Sequence, residues 1–378
     1  MGVVGSGVAD MLTHNADCIH QAAGEDLKLK YVVDIREPKL PEGVILCRNI
    51  DDILADPDVT VIAETIGGVT FAYDYTKRAL AAGKSVVTSN KELVATHGDE
   101  LMRLAAENGV KYRYEAAVGG GIPVLGPIRE NLAPNRISRV CGIVNGSTNY
   151  LITRMAETGV SFPVALGEAK KLGYVENNPA ADVEGHDARR KLSILAHEAF
   201  GSPLNSDSLI PTMGITALTE QDITAARLFG GAVKLIAYAR ANGNTWSGWV
   251  HPAFVEGKSP LYGVCDVFNA VLVKGDFVDD VMFYGRGAGS HPTASAVVGD
   301  MLEVIAHKEV SAPRANGPEF ADDPDALISA IIRVSEKQDL PGWEYREGDG
   351  VIAARTPLMP RSQIDQLPGV PLYVLSQD

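Results

Sequence analysis

The densest run of reactive side chains lies between Gly173 and Lys191, where Glu176, Asp182 and Asp187 precede the basic end Arg189-Arg190-Lys191. Asp182 stands at the start of a helical pattern spanning 181–200, where a carboxylate suits the positive end of the helix dipole. Asp187 and Lys191 are four residues apart, so one helical face carries both. The apolar stripe Ala188, Leu192, Leu195 and Ala199 borders that face and puts Lys191 at a core boundary. Three carboxylates beside a half-buried lysine can grip a substrate ammonium and present a proton donor to a reacting oxygen. The bland alternative is a solvated helix pair worth about 0.3 kcal/mol. The charge density around the Gly173 turn favours chemistry.

A second lysine, Lys91, follows Thr88-Ser89-Asn90 where a strand feeds a helix. Ligands of open α/β folds bind at that edge of the sheet, and a lysine in a first helical turn opposes the dipole without a compensating role. The opening Gly2-x-x-Gly5-x-Gly7 is similar to the later part of a dinucleotide fingerprint, in which glycines let the backbone of Gly2, Val4 and Gly5 approach a pyrophosphate. Asp34 ends the second strand, where an acidic side chain grips a ribose diol. Arg36 and Lys39 on the same turn suit a 2′-phosphate, so NAD and NADP both stay open. Thr65, within Glu64-Thr65-Ile66-Gly67-Gly68, suits a nicotinamide or ribose pocket or an ordinary strand-to-helix turn. Glu115 precedes the irregular Val118-Gly119-Gly120-Gly121-Ile122-Pro123, whose unpaired carbonyls need water, a donor or a hard cation. One carboxylate with several carbonyls suits a monovalent ion. No GxSxG elbow, P-loop or Cys/His metal spacing is present.

These groups need a scaffold, and the first 120 residues alternate strand and helix. Strand patterns cover 27–34, 59–63, 85–88 and 111–116, with helices over 71–82 and 92–108. That rhythm implies βαβ units, hence a doubly wound α/β nucleotide-binding domain with a parallel sheet. Beyond residue 121 helices are followed by grouped strands, an α+β substrate and dimerisation domain over 121–284. More helix is expected within 219–242, strands over 245–254, 264–273 and 277–284, and an amphipathic helix over 292–306. Residues from about 285 to 310 would complete the first domain, and 311–378 reads as a loosely organised tail.

The chain has 378 residues, enough for two domains, and ordinary hydrophobic (46%) and charged (22%) fractions exclude extensive disorder. Its net charge of −14 repels a phosphate backbone, so nucleic-acid binding is not expected. No apolar run approaches the ~20 residues that span a bilayer, which speaks against a membrane protein. The opening residues read as no signal peptide, and Cys18, Cys47, Cys141 and Cys265 are scattered like thiols of a reducing cytoplasm.

Residues 2–306 resemble homoserine dehydrogenases. The resemblance is carried, in order, by Thr88-Ser89-Asn90-Lys91, the 115–123 turn, Gly142-Ile143-Val144-Asn145-Gly146-Ser147-Thr148-Asn149-Tyr150, Gly173-Tyr174-Val175-Glu176, the 182–191 block and Gly285-Arg286-Gly287-Ala288-Gly289. It implies NAD(P)-dependent interconversion of L-aspartate 4-semialdehyde and L-homoserine in threonine and methionine biosynthesis, and a homodimer. Lys191 is implied as proton donor, with Lys91 the second candidate and a cofactor contact. Glu176 and Asp187 match homoserine-binding positions, with Asp182, Tyr174, Gly146 and Ser147 completing the substrate set. Gly173 and Gly287 match further cofactor contacts. A sodium-like ion is implied at Glu115 and the carbonyls of Val118, Gly120 and Ile122.

Two features depart from the family pattern. The strand that normally precedes the fingerprint is absent, so either an apolar segment of about 8 to 10 residues is expected ahead of Met1, or the tail strand near Leu372 to Leu375 fills the gap. The tail also matches poorly the regulatory domain that some members append, although Asp339-Leu340-Pro341-Gly342 is similar to its first turn. The rival readings are another amino-acid dehydrogenase of the same two-domain plan and a non-catalytic NAD(P)-binding sensor.

Overall fold

The computed structural model describes residues 1–175, 178–307 and 317–375, with residues 205 and 206 described by their backbone alone. The chain divides into two compact units. The first holds residues 1–133, 193–205 and 286–317; the second holds 134–192, 206–285 and 318–378.

In the first unit the elements run α1 (Val3–His14), α2 (Ala16–Ala23), β1 (Tyr31–Val33), β2 (Ile45–Cys47), α3 (Asp51–Leu54), β3 (Val61–Glu64), α4 (Thr70–Ala81), β4 (Ser85–Thr88), α5 (Lys91–Glu107), β5 (Tyr112–Arg113) and α6 (Leu125–Arg129). Helix α1 turns Val8 and Leu12, four apart, into a core with Val87, Ala294, Val297 and Met301. Helix α5 starts where the Asn90 side chain accepts the Leu93 N–H. The returning helix Ser290–Ala306 is tied to β5 by Glu303, which receives Arg113 Nη2 at 2.9 Å and Lys111 Nζ at 3.5 Å. All pairings are parallel, as the alternating pattern required, but the sheet is split into β1–β2 and β3–β4–β5. Among the described residues no strand pairs with the far edge of β1 or of β3. The expected strand over 27–34 shrinks to three residues for that reason.

The second unit holds a ten-stranded mixed sheet. Its elements are β6 (Ile137–Ile143), α7 (Gly146–Thr158), α8 (Phe162–Lys171), α9 (Ala180–Val183), α10 (His186–Phe200), α11 (Glu220–Leu228), β7 (Gly231–Asn242), β8 (Thr245–Glu256), β9 (Phe268–Gly275), β10 (Asp279–Arg286), β11 (Glu319–Phe320), β12 (Leu327–Ile328), β13 (Ala330–Val334), β14 (Glu344–Gly348), β15 (Val351–Arg355), β16 (Met359–Pro360) and β17 (Leu372–Val374). The order is β10-β9-β6-β7-β8-β17-β13-β15-β14, with β11 on β8. Helix α10 passes from the second unit into the first after Leu192.

Several expectations change here. Helix was expected within 219–242, and α11 supplies it only as far as Leu228; Gly230 takes φ +78°, and the unexpected strand β7 follows. The helix formers in Ala-Val-Lys-Leu-Ile-Ala are overridden because β7 pairs along its length with β8 and is buried between neighbours. The helix expected over 181–200 breaks at Gly185 (φ +85°), where an added Cβ would meet Thr212 Cγ2 at 2.9 Å. The described part of the tail is ordered: β13, β14, β15 and β17 extend the sheet from β8. Its Asp339–Gly342 turn leads into β14. Leu372–Val374 pairs with β8 and β13 in the second unit, so it does not fill the gap beside β1.

Candidate functional site

In the second unit the carboxyl end of β6 meets α9 and α10. Asn145, just after β6, caps α7 by accepting the Thr148 N–H at 2.8 Å. The same amide nitrogen donates to Asp182 Oδ1 at 2.7 Å and to Asp187 Oδ2 at 2.8 Å. Lys191, one turn beyond Asp187 on α10, reaches Asp187 Oδ2 at 2.8 Å and donates to the Val144 carbonyl at 2.8 Å. Asp187 and Lys191 are 3% and 8% exposed, so this ion pair is desolvated and held in one geometry. The contact expected from their spacing is present.

Gly146 opens α7 so close to the next strand that a Cβ would stand 2.7 Å from the Val267 carbonyl. Ser147 Oγ donates to the Tyr174 carbonyl at 2.8 Å, and the exposed Tyr174 ring packs edge-on against Tyr150. Gly173 takes φ +74° in the turn after α8. Glu176 lies outside the described residues. Two participants were not singled out beforehand. Asn145 was legible only as a cap three residues before Thr148. The buried Asn269 amide, near Gly146, has no partner among the described residues.

In the first unit the carboxyl ends of β1, β3 and β4 collect the other candidates. Gly2 caps α1 in extended backbone. Gly5 packs on the turn after β3, where an added Cβ would stand 3.1 Å from Thr65 Oγ1. Val4 lies between them in the first turn of α1. Asp34 is buried, and Arg36 grips it through its backbone N–H (2.9 Å), Nε (3.0 Å) and Nη2 (2.9 Å), with the Met1 ammonium on Oδ2. Arg36 first, then the ammonium, hold this carboxyl well below the usual carboxylate range. Arg48 crosses the same turn, donating to the carbonyls of Asp34 (3.1 Å) and Arg36 (2.8 Å). Beside it, buried Glu64 accepts Thr88 Oγ1 and the Ile66 N–H, both at 2.6 Å, and Asn90 Nδ2 donates to the Gly68 carbonyl at 2.6 Å. These bonds cross-link the ends of β3 and β4 and set Lys91 at the first position of α5.

The glycine turn after β5 is buried. Gly120 takes φ +57° and lies so near Gly287 that a Cβ would meet its carbonyl at 2.5 Å. Glu115 accepts the N–H groups of Val124, Leu125 and Gly126 at the start of α6. Asp300 Oδ2 accepts the Glu115 N–H at 2.8 Å, an acceptor that sequence reading did not single out. Burial pushes both carboxyls up, and the Glu115 charge adds to the rise at Asp300. Among the described residues no donor bonds the buried carbonyls of Val118, Gly120 or Ile122, whereas Gly119 accepts the Ile122 N–H. Buried orphan carbonyls beside a carboxylate are the donor set a monovalent cation accepts.

Comparison with known proteins assigns the family. The profile described as homoserine dehydrogenase matches residues 123–302, and that of the homoserine dehydrogenase NAD binding domain matches residues 1–115. The homoserine dehydrogenase of Pseudomonas aeruginosa is 41% identical over 329 residues, covering 86% of this chain and 75% of the relative. That of Bacillus subtilis is 38% identical over 351 residues, covering 90% and 81%. A crystal structure of a homoserine dehydrogenase from Thiobacillus denitrificans superposes with a TM-score of 0.88 at 32% identity, covering all of this chain and 97% of the other. A hyperthermophilic archaeal homoserine dehydrogenase in complex with NADPH aligns at TM-score 0.56 and 31% identity, over 66% of this chain and 73% of that one. The chain therefore belongs to the homoserine dehydrogenase family of NAD(P)-dependent oxidoreductases.

Proposed function

We propose that the chain interconverts L-aspartate 4-semialdehyde and L-homoserine in threonine and methionine biosynthesis, with Lys191 as the group that protonates the substrate oxygen. The observation that carries this is the Val144–Asn145–Asp182–Asp187–Lys191 cluster. It holds an ammonium group and two carboxylates in fixed relation at a core boundary. Bound NAD(P)H supplies the hydride to the carbonyl carbon. As charge develops on the oxygen, Lys191 Nζ donates its proton, and in homoserine oxidation it takes one back. Asp187 and the Val144 carbonyl hold Nζ in place. Asp187, Asp182 and Glu176 bind the substrate ammonium, with Gly146, Ser147 and Tyr174 completing the set.

The cofactor contacts proposed are Gly2, Val4, Gly5, Asp34, Arg36, Thr65, Lys91, Gly173 and Gly287, with Lys91 the second candidate for proton transfer. A sodium-like cation fits Glu115 and the carbonyls of Val118, Gly120 and Ile122. A homodimer is supported by β10, an edge strand that exposes Met282 and Tyr284 beside Phe277.

The test follows cofactor reduction at 340 nm with L-homoserine and NAD or NADP, in the chain and in Lys191→Ala. Loss of about 10²–10⁴-fold in kcat with unchanged cofactor binding is the expected result. Most of kcat surviving in Lys191→Ala would move the proton-transfer role to Lys91.

A further inference from the structure

The second unit has a cavity of about 200 Å³ that the substrate cluster does not use. It lies among α7, α11, the start of β7 and the loop 262–265. Ile152, Ile223 and Val233 give it apolar walls, and Lys234 and Cys265 line it together. A cavity of ~150 Å³ admits benzene, so this one has room for a molecule of a few heavy atoms.

Lys234 is 3% exposed. Its Nζ donates to the Val264 carbonyl, to Asn149 Oδ1 at 3.5 Å and to Cys265 Sγ at 3.8 Å. Among the described residues no carboxylate stands within ion-pair distance of it. Lys111 and Lys191, buried to a similar degree, each reach one: Glu303 at 3.5 Å and Asp187 at 2.8 Å. An ammonium taken out of water without an anion is costly. Burial accordingly pushes the Lys234 amine below the ordinary lysine value, and the Cys265 sulfur opposes the fall. The carboxylates of Asp266 and Glu157 oppose it more weakly, from beyond ion-pair distance. Of the groups bonded to Nζ, only the sulfur can become an anion.

We propose that Cys265 is a peroxide-reactive thiol whose sulfenate is held by Lys234. The sulfur attacks one oxygen of hydrogen peroxide, and the S–O bond forms as the O–O bond breaks. The thiol proton leaves with the departing hydroxide as water. Sulfur gives up two electrons, the peroxide takes both, and Lys234 ends the step with the protons it had. An ammonium beside the sulfur favours both the attacking thiolate and the anionic sulfenate that results. Cys18 supplies an internal comparison. It is exposed on α2, and among the described residues no cation bonds it, whereas Cys265 is half-buried. Access alone would favour Cys18.

The test treats the full chain with equimolar hydrogen peroxide at pH 7, quenches with catalase, and unfolds the protein into dimedone and iodoacetamide. Peptide mass spectrometry then follows each cysteine. A free thiol is only a few per cent thiolate at pH 7, so a held thiolate reacts about tenfold faster once its lower nucleophilicity is counted. Cys265 should gain the dimedone adduct about tenfold faster than Cys18, and should lose that lead in Lys234→Met. In parallel, Cys265→Asp puts a permanent anion in the place of the sulfur, and should melt about 2 °C or more above Cys265→Asn. Cys265 reacting no faster than Cys18 in the unaltered chain would overturn the proposal, and so would a lead that survives in a folded Lys234→Met. Equal melting of the two Cys265 variants would remove Lys234 as the holder of the charge, whether or not the lysine variant folds.

Discussion

Asn145 offers a test of whether the second-unit cluster positions charge or only packs. Its amide uses its polar capacity: nitrogen on Asp182 and Asp187, oxygen on the Thr148 N–H and hydroxyl. Asn145→Ala removes a helix cap, about 1 kcal/mol, and two bonds to carboxylates at about 1.5–3 kcal/mol each, less at the partly exposed Asp182. A loss of about 3–5 kcal/mol follows, or a drop on the order of 10 °C in the melting of the second unit. Asn145→Ser keeps an oxygen for the cap and loses the two amide N–H donors to Asp182 and Asp187, so it should be about 1 kcal/mol less damaging. Activity should not follow that order. With Asp187 and Lys191 freed to shift by about 1 Å, both variants should lose roughly 10²-fold in kcat/KM for homoserine, with NAD(P)H affinity unchanged by fluorescence titration. Asn145→Ser with unaltered kcat/KM, beside an Asn145→Ala whose loss tracks its melting temperature, would show that the amide only supports the helix.

Three further outcomes are expected. His251 is buried and stacked on Tyr373 at 3.7 Å, and burial holds its imidazole down at about 4 against an ordinary ~6.5. Its contribution is complete above pH ~6.5 and drains by up to about 3 kcal/mol as pH falls toward 4, where the unfolded chain binds the proton first. His251→Phe should flatten the urea midpoint across that window, and an unchanged slope would place the acid sensitivity elsewhere. The raised carboxyls of Glu115 and Asp300 act in the opposite sense: the folded state holds their protons longer, so stability falls as pH rises above the ordinary carboxylate range, and a cation offsets the loss. Replacing tetramethylammonium by sodium at constant ionic strength should raise the melting temperature at pH 8 but not in Glu115→Gln; equal melting of the parent chain in both salts would remove the ion from this loop. Arg36→Ala should weaken NADP by about tenfold more than NAD, since a guanidinium favours a phosphate, and equal losses in isothermal titration would place the 2′-phosphate contact elsewhere.

What the sequence determined by itself is local. Four residues is one helical turn, so the Asp187–Lys191 contact was legible before any fold was known. The β4 limits were legible in Ser85-Val86-Val87-Thr88, and α5 starts one residue before its expected limit, where Asn90 caps it locally. The parallel sheet followed from the strand and helix rhythm. The tertiary structure decided what depends on partners far along the chain. Asn145 meets Asp182 and Asp187 across 37 and 42 positions, and Asp300 meets the Glu115 backbone across 185. No periodicity encodes such pairs. β7 and the tail strands β14 and β15 were missed for the same reason, since a strand is stabilised by the strand beside it and not by its own residues alone.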